Sequence, residues 1–236
     1  GRDRAGAKLT QDGERFTAHA LQLVQNWDKA RADMALPQGH VTRLSVGAEA
    51  SLWNPLLFNW ICWMREHQAE VALHTEVDNA ESLFRRLENR SLDVVLVHRP
   101  DYFPGLQVEQ LLEEKLIMVQ APHSDSPYLF VDWGPEFIAQ HDIAWPQRRN
   151  AALSFNLGPL ALQYLLEVGG SGYFRTRVVQ RHLNQRRLLR VPQAPEFTYP
   201  LYAVYRAENQ SETLLKALVG ARVVAQQESD WGLSAG

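Results

Sequence analysis

The sequence predicts an α/β protein: two Rossmann-like subdomains joined by crossover strands and preceded by a long helix. Three observations carry that expectation. Residues 10–35 repeat apolar side chains at alternating spacings of four and three, residues 41–97 alternate strand and helix patterns, and the alternation resumes at Tyr128 after a turn-rich stretch.

The leading helix is expected from Thr10 to about Ala35, with Phe16, Ala20, Leu23, Trp27, Ala30 and Met34 on one seam. A seam of nearly three heptads suits pairing with a second helix. It also fits an amphipathic helix folded back onto its own domain, and spacing leaves both readings open. Thr10 is the capping candidate. Leu36-Pro37-Gln38-Gly39 ends the helix, because Pro disfavours helical geometry in the residue before it and Gly permits a turn.

Val41 to Val46 reads as a strand and Gly47 as a turn. Ser51 to about Glu70 reads as a helix burying Trp53, Leu56, Leu57, Trp60, Ile61 and Met64. Val71, Leu73, Thr75 and Val77 alternate as a strand, and Ala80 to Asn89 is helical. Asp93 to Val97 is the continuous apolar run of a strand buried on both faces. This strand–helix alternation implies a parallel, doubly wound sheet. Val108 to Leu112 and Lys115 to Gln120 read as two further strands, and Ala121 to Pro127 is the boundary candidate, being rich in turn formers.

Past that boundary, Tyr128 to Val131 is a strand and Gly134 opens a helix. Ala151 to Phe155 is a strand, Pro159 to Glu167 and Arg175 to Leu183 are helices, and Leu188 to Val191 is a short strand. Phe197 to Tyr205 is an aromatic strand returning to the first half, before a last helix from about Ser211 to Gln226. Two such halves leave a cleft between them, and parallel sheets bind ligands at the carboxyl ends of their strands, so binding is the first functional expectation.

Composition narrows the classes. The chain has 236 residues, 45% hydrophobic and 22% charged, enough for a sizeable core. A formal charge of −3 argues against nucleic acid as the main partner of this segment, so any DNA contact falls to another one. One cysteine, Cys62, excludes an internal disulfide; inside the apolar helix it reads as a buried small hydrophobe. No apolar run reaches membrane-spanning length, and the charged N-terminus lacks the apolar core of a secretory signal. The expectation is a cytoplasmic chain with no membrane contact.

The chemical motifs are mostly failures. Gly169-Gly170-Ser171-Gly172 lacks the final glycine of a nucleophile elbow, since Tyr173 stands there, and lacks the third glycine of a dinucleotide fingerprint. It reads as a tight turn between two helices. The eight histidines show no metal-ligand spacing, so no metal, cofactor or catalytic set is expected. Arg175, Arg177, Arg181, Arg186, Arg187 and Arg190 form one basic cluster, which could meet phosphate or an acidic partner but reads best as the wet face of a helix packed through Phe174, Val178, Val179 and Leu183.

One composite site stands out. A strand ends at Gly47 before a helix near Ser51, and a second strand ends beside His98 and Arg99. Helix N–H groups, the Ser51 hydroxyl and the Arg99 guanidinium would together hold a small anion. Glu49 in the same loop opposes an anionic ligand unless it points away. The same residues also describe a capped helix beside an exposed arginine.

Leu9-Thr10-x-x-Gly13-x-x-Phe16-x-x-x-Ala20 resembles the entry to the linker helix of LysR-type transcriptional regulators. Ser91-Leu92-Asp93-Val94-Val95-Leu96 and Leu165-x-x-Val168-Gly169-Gly170-x-Gly172 resemble phrases in the family's two regulatory subdomains, and with Leu116-Ile117-Met118-Val119 as crossover strand the resemblance runs from Leu9 to about Gly220. It implies a type 2 periplasmic-binding-protein fold, with 1–8 the remnant of a winged-helix DNA-binding domain, 9–38 the linker and dimerisation helix, 39–121 with 200–236 one subdomain, and 122–199 the other. It implies an effector-binding chain rather than an enzyme, assembled as a homodimer or homotetramer, touching promoter DNA only through an N-terminal domain that this chain lacks.

By position, the resemblance assigns the effector contacts to Ala48, Glu49, Ala50, Ser51, His98 and Arg99 from the first subdomain. Trp133, Gly134, Asn156, Leu157 and Gly158 come from the second. The Pro common after the family's glycine turn is absent from Gly172-Tyr173-Phe174-Arg175. The alternative is a solute-binding protein of a transport system with the same fold; the heptad seam and the lack of a signal sequence argue against it.

Overall fold

A computed structural model describes residues 9–34, 36–122, 127–148 and 150–227. Residues 1–8, expected as the winged-helix remnant, and part of the turn-rich stretch at 121–127 lie outside the described residues. Helix α1 (Gln11–Met34) begins as expected, with the Gly13 N–H donating to Thr10 Oγ1 at 3.1 Å. Its seam is bare. Phe16, Leu23 and Trp27 are each 66–67% exposed, Ala30 is exposed and Ala20 half-buried; the Met34 side chain lies outside the described residues. The seam is therefore not folded against its own domain.

Strand β1 (Thr42–Glu49) pairs in parallel with β2 (Val71–Asp78) and β3 (Val94–Val97). Antiparallel to β3 runs β9 (Phe197–Arg206), which pairs along ten register positions with β4 (Leu106–Gln120). The far end of β4 also pairs with β7 (Ser171–Arg175) and the short β8 (Leu189–Arg190), while β5 (Leu129–Val131) and β6 (Leu153–Phe155) form a separate parallel pair. The sheet order is β2-β1-β3-β9-β4-β7.

Helices cover both faces, which is why β3 is apolar throughout. Val94 and Leu96 face the main core with α2 (Phe58–His67) and α7 (Glu212–Gln227), and Val95 and Val97 face Leu83, Phe84 and Leu87 of α3 (Ala80–Glu88). The Trp60 indole N–H donates to the Ala217 carbonyl at 2.9 Å, tying α2 to α7. On the other half, α4 (Pro135–Ala144), α5 (Gly158–Glu167) and α6 (Thr176–Asn184) pack around β5, β6 and β7.

Several local expectations need correcting. Gly47 is not a turn but lies inside β1, where a Cβ would come within 2.5 Å of Leu83 and 2.7 Å of Leu92. The helix read from Ser51 starts only at Phe58, after a single π-type turn at Trp53–Leu57; Asn54 is extended (φ −128°, ψ 124°), as the residue before a proline prefers. Trp53 is consequently 41% exposed rather than buried. Cys62 is also exposed, because it points away from the face that Trp60 and Met64 bury.

The two strands read at 108–112 and 115–120 are one strand, β4, irregular between Gln110 and Leu112. Gly169 and Gly170 do form a positive-φ turn, but it leads from α5 into a strand, β7, and not into a helix. Arg175 ends that strand and is 1% exposed, so it does not belong to the wet face of α6.

In the second half, His141 of α4 is wholly buried among Phe130, Phe137 and Tyr173, and its Nε2 lies 2.7 Å from the Tyr128 hydroxyl. Burial pushes the imidazole below its ordinary value of 6.5, against a smaller opposing pull from Asp142. The unfolded chain takes up a proton below that value while the folded chain resists it. This contribution to stability is therefore whole above about pH 6.5 and is lost as pH falls below it. Melting temperature should fall more steeply between pH 7.5 and pH 5 in the wild type than in His141→Gln; parallel profiles would remove His141 as the cause.

Candidate functional site

The carboxyl ends of β1, β3, β5 and β6 supply the candidate residues, and the structure brings several of them together around one side chain the sequence did not single out. Tyr199 of β9 is 3% exposed, donates its hydroxyl proton to Ser51 Oγ at 3.0 Å, and stacks on His98 with ring centroids 4.6 Å apart. Trp133 meets it edge-on at 5.5 Å. Burial raises the Tyr199 phenol well above its usual value, outweighing the Ser51 hydrogen bond that lowers it, so it stays a donor.

Glu49 is explained by the same cluster. One carboxylate oxygen accepts the His98 backbone N–H at 2.7 Å and lies 2.7 Å from His98 Nδ1, so its charge is turned to its own neighbour. Across the gap, Gly134 has φ +102°, and a Cβ there would stand 2.9 Å from His98 Nε2. Gly158 plays a similar part, since a Cβ on it would come within 2.5 Å of the Trp133 ring. Glu49, Ser51, His98, Trp133, Gly134 and Gly158 thus lie in one connected neighbourhood.

Other expected positions fall away from it. Ala48 is fully buried in β1, Ala50 sits in the following turn, and Leu157 is the extended residue before α5. Asn156 is exposed. Arg99 is half-exposed and its Nε stands 3.7 Å from Glu136, facing outward. The anion cradle expected from Ser51 and Arg99 is not assembled: the Ser51 hydroxyl accepts from Tyr199, no side chain caps α2 or the turn before it, and Arg99 points elsewhere.

The guanidinium that does reach Ser51 is Arg175. Its Nη1 donates to the Ser51 carbonyl at 2.5 Å, its Nε donates to Glu114 Oε2 at 2.8 Å, and Nη2 lies 2.7 Å from the same oxygen. Glu114 Oε1 also accepts the Arg177 backbone N–H at 2.9 Å. Both side chains of the pair are 1% exposed, so the ion pair persists because hydrogen bonds supplement its Coulomb attraction. Sequence reading missed it for a clear reason. Arg175 was one of six similar arginines, and Glu114 fell in the gap between two supposed strands.

Beside this junction is a cavity of about 230 Å³ bordered by Ser51 and Asn54 from one half and Trp133, Gly158, Leu162 and Arg175 from the other. A larger, open depression of about 1240 Å³ lies at the amino ends of the strands, between Asp28 of α1 and residues such as Arg86 and Arg206. Its charges largely satisfy each other, as in Arg86 with Glu76 and Arg90 with Glu208. The smaller cavity has the chemistry of a ligand site: apolar walls with a few polar groups. Among the described residues no group of three His, Cys, Asp or Glu is placed to hold a metal ion.

Removing one member of the buried pair should be costly. Glu114→Gln is expected to lower stability to urea by about 3–5 kcal/mol, because it strands a buried guanidinium, whereas Glu114→Leu with Arg175→Met should lose less than either single change. Equal and additive losses would mean that the two charges do not act as a pair.

Comparison with known proteins agrees with this architecture. A model of the LysR substrate binding domain matches residues 37–221. The HTH-type transcriptional regulator HdfR of Yersinia pestis (strain Pestoides F) is 26% identical over 234 residues, covering 92% of this chain and 78% of the relative. Among solved structures, the bromide-bound regulatory domain of HypT from Salmonella typhimurium superimposes with a TM-score of 0.67 at 12% identity, over 82% of this chain and 98% of that one. A hydrogen-peroxide-bound OxyR mutant from Corynebacterium glutamicum gives 0.63 at 17% identity, over 96% and 79%. The fold is the type 2 periplasmic-binding-protein fold of LysR regulatory domains, two Rossmann-like halves joined by crossing strands. With the family model spanning most of its length, this chain belongs to the LysR substrate-binding domain family.

Proposed function

We propose that the chain is the sensing and assembly region of a LysR-type transcriptional regulator, with its effector held in the cavity beside Arg175. The observation that carries this reading is the placement of that cavity, which takes Ser51 and Asn54 from one half and Trp133, Gly158 and Arg175 from the other. A ligand there interacts differently with open and closed arrangements of the two halves, and that difference is what shifts a population.

The proposed division is residues 9–38 as linker helix, 39–121 with 200–236 as one subdomain and 122–199 as the other. In this reading the seam of Phe16, Ala20, Leu23, Trp27, Ala30 and Met34, of which Phe16, Leu23, Trp27 and Ala30 are exposed, pairs with the same seam of a second copy, in a homodimer or homotetramer. Promoter DNA is met by an N-terminal domain outside this chain. A binding role without catalysis, in the cytoplasm, is part of this proposal and is supported by the regulator family; no helix of the described residues is long and apolar enough to cross a membrane. The transport reading is not favoured beside a regulator family and a bare heptad seam.

Two measurements test the reading. A metabolite screen by thermal shift should yield a compound that stabilises the wild type, by about 2.7 kcal/mol at a hundredfold excess over its dissociation constant. The same compound should leave Leu162→Trp, whose indole fills the cavity, unmoved. Stabilisation of both proteins alike would place the ligand elsewhere. Sedimentation should show a dimer or larger assembly that Leu23→Glu with Trp27→Glu reduces to monomer; a wild-type monomer at tens of micromolar would remove the seam as an interface.

A further inference from the structure

The geometry points to a ligand class for the cavity: we infer that it takes a neutral or singly cationic small molecule with an apolar body, and not a carboxylate. This inference rests on the reading that the cavity is the effector site.

Arg175 is the only Lys or Arg among the described residues bordering the cavity, and its charge is matched by Glu114. Nε and Nη2 face Glu114 at 2.8 and 2.7 Å, and Nη1 is engaged by the Ser51 carbonyl. The Nε–Nη2 edge by which arginine clamps a carboxylate is already turned to Glu114, although Nη2 itself makes no hydrogen bond there. The start of α5 offers little in its place. Pro159 has no N–H, and the Trp133 ring packs closely over Gly158.

The remaining charged group is acidic. Glu167, in the last turn of α5, borders the cavity and has no ion-pair partner among the described residues. A carboxylate ligand would leave water for a site whose one cation is spent and whose free charge repels it. An ammonium group gains that same charge as its partner. Trp133, Leu162, Leu166, Phe174 and Val178 supply apolar wall, and Asn54 and Gln163 supply neutral amides at the border. Ser51 accepts from Tyr199, which leaves its own hydroxyl proton to donate to a neutral acceptor such as an alcohol or amide oxygen. At about 230 Å³ the space is below the roughly 300–1,000 Å³ of sites for drug-sized ligands, so the ligand is small.

The test uses three probes of matched shape, 2-phenylethylamine, 2-phenylethanol and phenylacetate, titrated calorimetrically into the whole chain. The wild type should bind the amine and the alcohol at least tenfold more tightly than phenylacetate. Glu167→Gln, at an exposed position, should bring the amine down to the affinity of the alcohol while leaving the alcohol unchanged. Leu162→Trp should abolish binding of all three, and Gln163→Trp, at an exposed border position, serves the same purpose should the first variant fail to fold. Phenylacetate bound most tightly, and lost on blocking the cavity, overturns the ligand class while leaving the cavity as the site. Binding of no probe to the wild type, or binding that survives both blocking variants, overturns the cavity reading and this inference with it.

Discussion

The antiparallel pairing of β4 with β9, from Leu106 opposite Arg206 to Leu116 opposite Phe197, is the constraint on which the other features depend. These two strands pass from one half of the molecule to the other, so the halves share backbone hydrogen bonds instead of hanging on a flexible linker. Register along the pair sets the chemistry between them. Glu114 lies opposite Tyr199, and Leu116 lies opposite both Phe197 and Arg175. A slip of one residue would turn Glu114 out of the interior and strand Arg175 there, so the buried ion pair and the strand register enforce one another.

That shared geometry explains why the region between the halves is so self-sufficient in polar terms. Glu49 is held by His98, Ser51 by Tyr199 and Arg175, and Arg175 by Glu114. Most of these buried polar groups answer another, as low-dielectric surroundings require, the exception among them being Arg175 Nη2, which lies 2.7 Å from Glu114 without a hydrogen bond. What is left beside the cavity is shape, apolar wall, a few neutral donors and acceptors, and the Glu167 carboxylate. The contrast with the depression near α1 is instructive. That space is larger but laced with ion pairs, whereas the smaller cavity offers the apolar wall from which a small molecule gains affinity.

Glycine placement shows the same economy of space. Gly134 and Gly158 stand at the amino ends of α4 and α5, just after β5 and β6, and each admits a ring from elsewhere: His98 against one, Trp133 against the other. Gly47 admits Leu83 and Leu92 against β1. None of the three serves as a chain reversal. Each lets a large side chain close on the backbone, and of the three only Gly47 was expected as a turn, because turns are where glycine most often occurs.

Period and composition alone determined the α/β class, the long capped helix with its heptad seam, most strand and helix positions, and the choice of the carboxyl ends of strands as the candidate site. These are local properties, carried by spacing within ten or so residues. The failures were equally specific. Pro55 delayed a helix whose apolar pattern ran through it, a double glutamate split one long strand into two, and an arginine cluster hid its single buried member. The cluster at the candidate site was half legible: Glu49, Ser51 and His98 were singled out from the residues and Trp133, Gly134 and Gly158 through the family resemblance, whereas the parts of Tyr199, Glu114 and Arg175 were not. Those three are separated from Ser51 by 148, 63 and 124 residues, and only tertiary structure decided that they meet, because partner choice in a buried polar network depends on strand register and burial, which no local spacing records.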